Sequence, residues 1–493
     1  MRTFLSPFLA VLLVISAQAR TQERSDWLQF RQVAGQEALP GLLELADWAR
    51  ANKLYAFASQ VNKGVLTLDA DQPDARRALR YFRVSGEWRQ SRGFHEARNH
   101  VAGGRLELLE REYRDRLERV LGPFRDGLLA RVGNPRLAVS PVMKEEILRQ
   151  LLCFEPESAP LHGALDEERV SGRWVLRESA RTLRGSATLR QLALACLDRV
   201  EAPERGRFTS DELKSNLALS GVLRSEDVRV TGTVTQTEIA QATRTAQAVG
   251  ELFEEVFEQP AHFRRGFTVI LLSKPAELLD LGPLAIARQS GLTPPRPDSP
   301  QVGGWLSYSE VAQWSPDRER RLDGLARQTM GAMLMDTYGL DARHGWIWEG
   351  VGLFLVDQLV GTRRTYFMEQ PNYVFEDADG LWRTLADDKT DWLELAAERR
   401  AEDRWPGLQF LVGRSIASMR DEDLLLSYVL AAYVIQGWPD HAGSLLDRIG
   451  SGEHPVHAFE AVLGWSMPQL ELRLERWLDE VLEGRRNWKS KGR

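Results

Sequence analysis

Apolar residues recur at helical spacing along most of this chain and alternate as in β-strands only in its middle part. Residues 26–184 show the spacing of helices joined by short turns. Residues 228–234 show the alternation and β-branched content of a strand, and 267–272 predict a second, apolar strand. Between them, 238–257 predicts a long amphipathic helix. The pattern predicts a predominantly helical α+β fold.

The two ends of the chain differ in character. Residues 415–482 return to helical spacing and predict a C-terminal helical bundle, followed by a basic tail, 483–493, that we expect to be frayed. At the other end, an apolar run over 4–15 precedes Ala17-Gln18-Ala19, a small-x-small cleavage pattern. Residues 1–19 therefore predict a signal peptide and an exported protein, periplasmic or extracellular, with no integral membrane span.

An internal repeat with an offset of 86 residues runs through the N-terminal region. Eight of 23 aligned positions are identical, including Arg-Val-Ser-Gly-x-Trp, which ends at Trp88 and again at Trp174. Repetition predicts one supersecondary unit used twice, over 20–93 and 94–200. The unit resembles the second half of a tetratricopeptide-type helical hairpin followed by a short G-x-W turn element. The two tryptophans are either core anchors of a helical spacer or part of a surface for a peptide or partner.

Composition places the chain among globular proteins of more than one domain. It has 493 residues, too many for one core, with 43% apolar and 27% charged residues. The polar stretch 201–207 marks the predicted boundary with a second domain, 208–482. A net charge of −6 gives no basic footprint for nucleic acid. Cys153 and Cys196 are open to two interpretations, a disulfide or two buried thiols.

Two segments of the second predicted domain have the spacing of a zinc site without most of its ligands. Arg327-Gln328-Thr329-Met330-Gly331 is followed, after a turn, by Trp346-Ile347-Trp348-Glu349-Gly350. The pair resembles the H-E-x-x-H and W-x-x-E-G helices of gluzincin-type metallopeptidases. The order of strand, long helix, strand, Gly-rich edge strand (303–308) and two site helices is also similar to that family. The resemblance covers 208–480 and implies a zincin-like domain with a small mixed sheet, site helices and a C-terminal helical bundle.

In this resemblance, Arg327 and Gly331 stand at the histidine positions, Gln328 at the general base and Glu349 at the third ligand. Arginine has no lone pair for zinc, glycine has no side chain, and an amide has no useful basicity. The resemblance therefore implies a degenerate site without catalytic residues, metal or cofactor. We expect Arg327 to replace the ion and form a buried bidentate pair with Glu349. The alternative is that Arg327 points to water.

Four aromatic residues are candidates for the lining of the former substrate cleft. An open cleft lined by aromatic rings would suit extended peptides or sugars. The alternative is that the same side chains belong to the core. The four residues are Trp305, Trp346, Trp348 and Tyr428.

Two pairs of histidines are weaker candidates for a metal site. His95 and His100 are five residues apart, so on an α-helix they do not share a face. His454 and His457 lie in a loop before the terminal helices, where they would chelate weakly. Neither pair changes the expectation that the chain holds no metal.

The sequence predicts an exported, non-catalytic protein with a gluzincin-like fold that binds a protein, peptide or envelope component, through the former cleft or the helical region. One alternative is a hydrolase with a non-standard site in the same cleft, although no G-x-S-x-G and no plausible Cys/His pairing supports it. A second alternative is a purely structural envelope protein without an open cleft. The partner's identity and the oligomeric state stay open.

Overall fold

A computed structural model of the chain divides into two compact units, Met1–Glu168 and Arg169–Arg493. The described part is predominantly helical and contains a small mixed sheet, as the sequence predicts for an α+β fold. The predicted signal peptide 1–19, His95 and the side chain of Trp305 lie outside it. The structure describes residues 29, 32–91, 98–132, 141–225, 227–261, 263, 266–277, 303–307, 310–315, 317–368 and 380–491.

The first unit consists of helices and one complete two-stranded hairpin. Its longest helix buries side chains three or four residues apart, which is the pattern of one helical face against a core. These buried residues are Leu109, Tyr113, Leu117, Leu121, Phe124 and Leu128. The elements are α1 (residues 32–51), α2 (Tyr55–Leu68), α3 (Pro73–Ala78), β1 (Tyr81–Val84), β2 (Glu87–Gln90), α4 (Gly104–Val132), α5 (Pro141–Leu152) and α6 (Ala159–Ala164). A second hairpin of β3 (Glu167–Val170) and β4 (Arg173–Leu176) begins at the end of this unit.

The elements of the two sequence repeats follow the same order at the same offset of 86 residues. α2, α3, β1 and β2 are matched by α5, α6, β3 and β4. In both hairpin turns two successive residues have positive φ, 52° and 89° at Ser85 and Gly86, and 49° and 87° at Ser171 and Gly172. Such a pair of φ values belongs to the two-residue type I′ turn, whose twist matches that of a hairpin. The repeated Ser-Gly is therefore explained by the turn.

The repeated arginine and tryptophan face each other across each hairpin. The strand register pairs Arg83 with Trp88, and the guanidinium lies 4.9 Å from the indole. In the second hairpin the corresponding distance, from Arg169 to Trp174, is 5.8 Å. Both indoles are half-buried. The tryptophans thus serve as cross-strand cation–π partners and are not fully buried core anchors.

Helices α2 and α5, which are equivalent in the two repeats, pack directly on each other. The ring of Phe154 lies against Gly64, where a Cβ would come within 2.3 Å of it. The amide of Gln150 donates to the carbonyl of Thr67 at 3.0 Å, and Gln60 donates to the carbonyl of Cys153. Thr67 and Cys153 are equivalent residues, so each repeat receives a glutamine from the other.

The second unit is built on a six-stranded mixed sheet of order β5–β6–β7–β8–β10–β9. Strands β7, β8 and β10 are parallel, and β9 is antiparallel to β10 at one edge. Strand β10 is absent from the sequence prediction because two polar residues, Glu310 and Gln313, interrupt its apolar pattern, although all five residues are buried. The elements are α7 (Arg177–Arg199), β5 (Glu204–Arg205), α8 (Ser210–Lys214), β6 (Gly221–Ser225), β7 (Val228–Gly232), α9 (Gln236–Phe257), β8 (Phe267–Leu272), β9 (Gly303–Ser307) and β10 (Glu310–Trp314).

Helices follow the sheet to the end of the chain. They share one core with α9 and with α7, which contributes Ala193 and Cys196, so the polar stretch 201–207 joins elements of a single core. The elements are α10 (Arg318–Tyr338), a π-helix (Ile347–Val351), α11 (Gly352–Val360), α12 (Leu381–Leu385), α13 (Trp392–Ala401), α14 (Leu408–Leu411), a 3₁₀-helix (Ile416–Ser418), α15 (Asp421–Ala432), a second π-helix (Tyr433–Gly437), α16 (Pro439–Gly450), α17 (Pro455–Leu463) and α18 (Met467–Lys491).

The architecture bears on three of the sequence expectations. The tail 483–493, predicted as frayed, is helical as far as Lys491, because α18 buries Val481 and Leu482 and Glu483 pairs with Arg173 at 2.5 Å. Both cysteines are free thiols. Within the described residues, every helix is too short or too polar to cross a membrane.

Candidate functional site

Helix α10 places Arg327, Gln328 and Gly331 in the middle of the core. The carboxylate of Asp317 caps its first turn by accepting from the backbone N–H of Glu319 at 2.9 Å, and Gly339, with φ of 76°, ends it. Residues 323–334 are all buried, so the helix has no solvent face in this stretch. The side chain of Arg327 is therefore surrounded by protein, and its charge needs partners within the protein.

Glu349 lies on the π-helical turn Ile347–Val351, at the start of α11. A π-turn inserts one residue into a helix and changes which side chain faces a neighbour. The next residue, Gly350, lets the backbone of α15 approach closely, since a Cβ there would lie 2.1 Å from the carbonyl oxygen of Ser427. The turn and the tight packing together aim Glu349 at α10.

Arg327 and Glu349 form a fully buried ion pair, each with 0% of its side chain exposed. Nη2 of the guanidinium donates to Oε2 of the carboxylate at 2.5 Å. The pair is not bidentate, which corrects the expected geometry. Nη1 instead donates to the carbonyl of Trp348 at 2.9 Å, and Nε donates to the carbonyl of Thr365 at 3.2 Å. The guanidinium therefore donates hydrogen bonds to several acceptors, of which the Glu349 carboxylate is one.

The remaining oxygen of Glu349 bonds to a segment that follows α11. Oε1 accepts from the backbone N–H groups of Phe367 and Met368, each at 2.6 Å. A second buried carboxylate, Asp323, holds the same segment through Oδ2, which accepts from the hydroxyl of Thr362 at 2.7 Å and from the N–H of Arg364 at 3.1 Å. We call residues 362–368, which form neither helix nor strand, the strap.

The strap is attached to the two site helices mainly through its main chain. We call Asp323, Arg327 and Glu349 the Arg327 cluster, because these three buried charges supply every one of the contacts just described. The guanidinium also stacks on the ring of Phe367, with 4.8 Å between Cζ and the ring centroid. The arrangement satisfies backbone groups that would otherwise be buried without partners.

Two glycines explain how an arginine and a tryptophan fit where the resemblance assigns metal ligands. A Cβ on Gly331 would lie 2.9 Å from the indole of Trp348, so this indole occupies the space beside the second histidine position. A Cβ on Gly352 would lie 1.8 Å from Nη1 of Arg327. The guanidinium therefore takes space that only a glycine at 352 leaves open.

Burial opposes every charge in the Arg327 cluster. Burial raises the pKa of the Glu349 carboxyl, and the nearby Arg327 guanidinium and two backbone N–H groups counter that rise. Burial also raises the pKa of the Asp323 carboxyl, against its hydrogen bonds to the strap. Burial lowers the pKa of Arg327, whereas Glu349 and Asp323 favour its charged form. Two carboxylates and one guanidinium depend on one another, because each alone would be a costly buried charge.

The aromatic residues named for the cleft belong to the core where the structure describes their side chains. Trp346, Trp348 and Tyr428 are all buried. Trp348 donates through Nε1 to the carbonyl of Leu340 at 3.1 Å, and the hydroxyl of Tyr428 donates to Asp357 at 2.7 Å. Burial, and then the Asp357 carboxylate, raise the pKa of Tyr428 well above its usual value. These contacts agree with the core alternative that the sequence left open.

Neither pair of histidines belongs to a metal site in the region that the structure describes. No group of three or more His, Cys, Asp or Glu side chains within the described residues is arranged to hold an ion. His457 is an exposed residue 3.7 Å from Glu460, and His454 caps α17 by accepting from the N–H of Val456. His100 packs edge-on against a tyrosine, and its predicted partner lies outside the described residues.

Sequence reasoning missed Asp323 and the strap. Asp323 lies one helical turn before Arg327, so the spacing i, i+4 was an available signal for a second carboxylate on the same face. The strap carries no such signal, because its contacts use backbone groups that every residue except proline possesses. The predicted residues Arg327 and Glu349 do meet, whereas Gln328 is buried and its Oε1 accepts no hydrogen bond from the described residues.

Comparison of the chain with protein-family models, with curated proteins and with solved structures gives no match. These comparisons assign the chain to no family. The function is therefore inferred from the geometry of the Arg327 cluster and from the sequence.

Proposed function

We propose that this chain is an exported, non-catalytic protein with a degenerate gluzincin-like domain, which binds a protein, peptide or envelope component. The observation that carries the proposal is the buried contact between Arg327 and Glu349. These are the positions that the resemblance assigns to the first and third zinc ligands. An arginine at one of these positions supplies a permanent positive charge where the resemblance would have a zinc ion.

The chemistry of the cluster supports a structural role for the former centre. A guanidinium has no lone pair to bind a metal and stays protonated, so it neither holds zinc nor takes a proton from water. Gln328 is a neutral amide at the position of the general base. The indole of Trp348 occupies the space beside Gly331. In the proposed protein this centre attaches the strap to the site helices.

The proposal places the binding surface outside the former cleft. Trp346, Trp348 and Tyr428 are core residues, so they line no groove. Large apolar side chains are exposed on both units, among them Phe82 and Leu108 on the first and Phe410 and Leu472 on the second. The repeated helical elements of the first unit are the second surface that the sequence favours for a partner. A protein partner on the first unit is therefore the more specific form of the proposal.

Metal content is the first test. The mature chain, from residue 20, is equilibrated with zinc and desalted, and its zinc is measured by mass spectrometry beside an active zinc peptidase treated in the same way. We expect a ratio near zero for this chain and near one for the control. A ratio of about one zinc per chain would overturn the proposal and redirect attention to His454 and His457.

Site-specific photo-cross-linking tests where a partner binds. A photoreactive residue replaces Phe82 or Leu108 in the first unit, or Phe410 or Leu472, which are exposed apolar residues of the second unit. We expect discrete cross-linked products in cells from the first pair only. Products from the second pair alone would contradict the placement on the first unit.

The hydrolase alternative gains no support from a specific arrangement. A further carboxylate network, Asp357 with Arg363 and Tyr428, is a set of inward-facing contacts, with Arg363 donating to Asp357 at 3.0 Å and Tyr428 donating at 2.7 Å. Both donors bind the same oxygen, Oδ2 of Asp357. In this network the Tyr428 hydroxyl and the Asp357 carboxylate are bonded to each other, as part of the packing.

A further inference from the structure

The two repeats carry equivalent hairpins, and a helix of the second unit lies against β4, the last strand of the second hairpin. In this strand Val175 and Leu176 are 3% and 2% exposed. Oε2 of Glu480, on α18, accepts from the backbone N–H of Leu176 at 2.8 Å, and Glu483 accepts from Arg173 at 2.5 Å. Residues 475–483 of this helix hold four acidic residues and one arginine. Strand β4 therefore binds an acidic stretch of an amphipathic helix.

The equivalent strand of the first hairpin, β2, is exposed. At the offset of 86 residues, Val175 and Leu176 correspond to Arg89 and Gln90, and both of these side chains are exposed. Phe82, which the strand register places directly opposite Arg89, is 50% exposed. A large apolar ring and a cation therefore lie side by side in contact with water. We call Phe82, Arg89 and Gln90 the hairpin surface.

Both hairpins direct the same backbone N–H outward. Ser91 donates to the carbonyl of Arg80 at 3.0 Å, so the next pair along the strands, Tyr81 with Gln90, is a pair without ladder hydrogen bonds. In such a pair the N–H of each residue points away from the partner strand. The N–H of Gln90 therefore points outward from the hairpin, as does the N–H of the equivalent Leu176 that α18 binds.

The first hairpin also has an excess of positive charge. Residues 72–91 contain five arginines and two acidic residues, in a chain of net charge −6. The equivalent residues 158–177 contain three arginines and three acidic residues. Of the five arginines, Arg80 and Arg89 are exposed, and neither forms an ion pair with any residue that the structure describes. Exposed guanidinium groups without a carboxylate favour an acidic ligand.

We propose that the hairpin surface binds an acidic amphipathic helix of a partner protein, in the way that β4 binds α18. This inference rests on the proposed function, because it gives the chemistry of the partner that the first unit binds. One carboxylate of the helix accepts from the N–H of Gln90, and a second pairs with Arg89. Apolar side chains of the helix pack on the ring of Phe82. The partner helix thus combines the two features of α18, a row of acidic residues and an apolar face.

Photo-cross-linking of the full chain in cells tests this inference. A photoreactive residue replaces Phe82, and the cross-linked segment of the partner is identified by mass spectrometry. We expect a segment of another protein with net negative charge and with apolar residues at helical spacing. A product with a second copy of this chain, a product within one chain, or a neutral or basic segment would overturn the inference.

Charge variants in the same experiment show whether Arg89 acts as proposed. Arg89→Glu, combined with the photoreactive residue at position 82, should lower the yield of the product about fivefold or more, because like charges facing each other oppose binding. Glu87→Gln removes an exposed acidic residue two positions before Arg89 and should raise the yield. Arg114→Glu, at an exposed position of α4, is the matched control and should leave the yield unchanged.

The outcomes separate this inference from the proposed function. A discrete product whose yield is the same in Arg89→Glu and in Arg114→Glu would keep a partner on the first unit and would overturn the acidic helix. No discrete product from Phe82, Leu108, Phe410 or Leu472 would overturn both.

Discussion

The Arg327 cluster and a second buried group, formed in the first unit by Arg149, His162 and Glu167, both place a basic side chain between a carboxylate and a backbone carbonyl, and they differ in access to water. Arg327 and Glu349 are 0% exposed, and an arginine keeps its charge at any physiological pH. Glu167 is shared between a histidine and Arg149, whose side chain is 38% exposed. The comparison teaches that the same arrangement occurs either wholly shut off from water, as at Arg327, or with one partner that water reaches, as at Arg149.

The largest expected effect is the loss of Arg327. Arg327→Ala leaves Glu349 buried without its cation and should lower the free energy of unfolding of the second unit by about 3 kcal/mol. Urea unfolding followed by tryptophan fluorescence measures it, with Arg486→Ala at an exposed position as the control. Replacing Arg327 and Glu349 together by leucine should recover part of the loss. A cost below ~1 kcal/mol for Arg327→Ala would mean that the charge is not confined as described.

Gly352→Ala should have the next largest effect, because its methyl group would collide with the guanidinium of Arg327. We expect a destabilisation of about 1–3 kcal/mol, as for overpacking of a core. Gly185→Ala is the matched control, since nothing lies within 4 Å of a Cβ at this helical position, and it should stabilise by about 0.5–1 kcal/mol. The same unfolding experiment compares the two, and equal effects would place the guanidinium elsewhere.

A smaller effect concerns pH and Asp323. Burial raises the pKa of this carboxyl in the folded state, so its contribution is present at low pH and is lost as pH rises through that raised pKa. An asparagine does not ionise, so Asp323→Asn should make the stability of the second unit depend less on pH in the range where the Asp323 carboxyl loses its proton. Urea midpoints measured from about pH 4 to 8 test it. Asp198→Asn, at an exposed position of α7, is the control substitution.

The smallest expected effect sharpens the comparison from the side of the first unit. Arg149→Gln removes a cation that is 38% exposed, so water compensates for much of the lost contact with Glu167. We expect a cost below ~1 kcal/mol in the unfolding of the first unit. Lys63→Gln, at the equivalent position of the first repeat, is the matched variant. A cost as large as that of Arg327→Ala would remove the distinction between the two clusters.

The meeting of Arg327 and Glu349 was predictable because both residues belong to a spaced motif on two helices. The strap was not, because Thr-Arg-Arg-Thr-Tyr-Phe-Met has no period, and its contacts come from backbone N–H and C=O groups. Strand β10 was hidden by Gln313, a fully buried amide that donates to the carbonyl of Arg321 at 2.6 Å. Aromatic residues beside a motif are as common in a core as in a cleft, so the sequence alone did not decide whether Trp346 is buried.

Synthesis begins at the N-terminus, so α2 is made long before the helix that covers it. The ring that fills the space at Gly64 belongs to Phe154, and the amide that satisfies Thr67 belongs to Gln150. Contacts so distant along the chain form only after the intervening loop has closed. The first repeat therefore has no complete core of its own while the chain is growing, and a chain cut short before α5 would leave an apolar helical face exposed to aggregation.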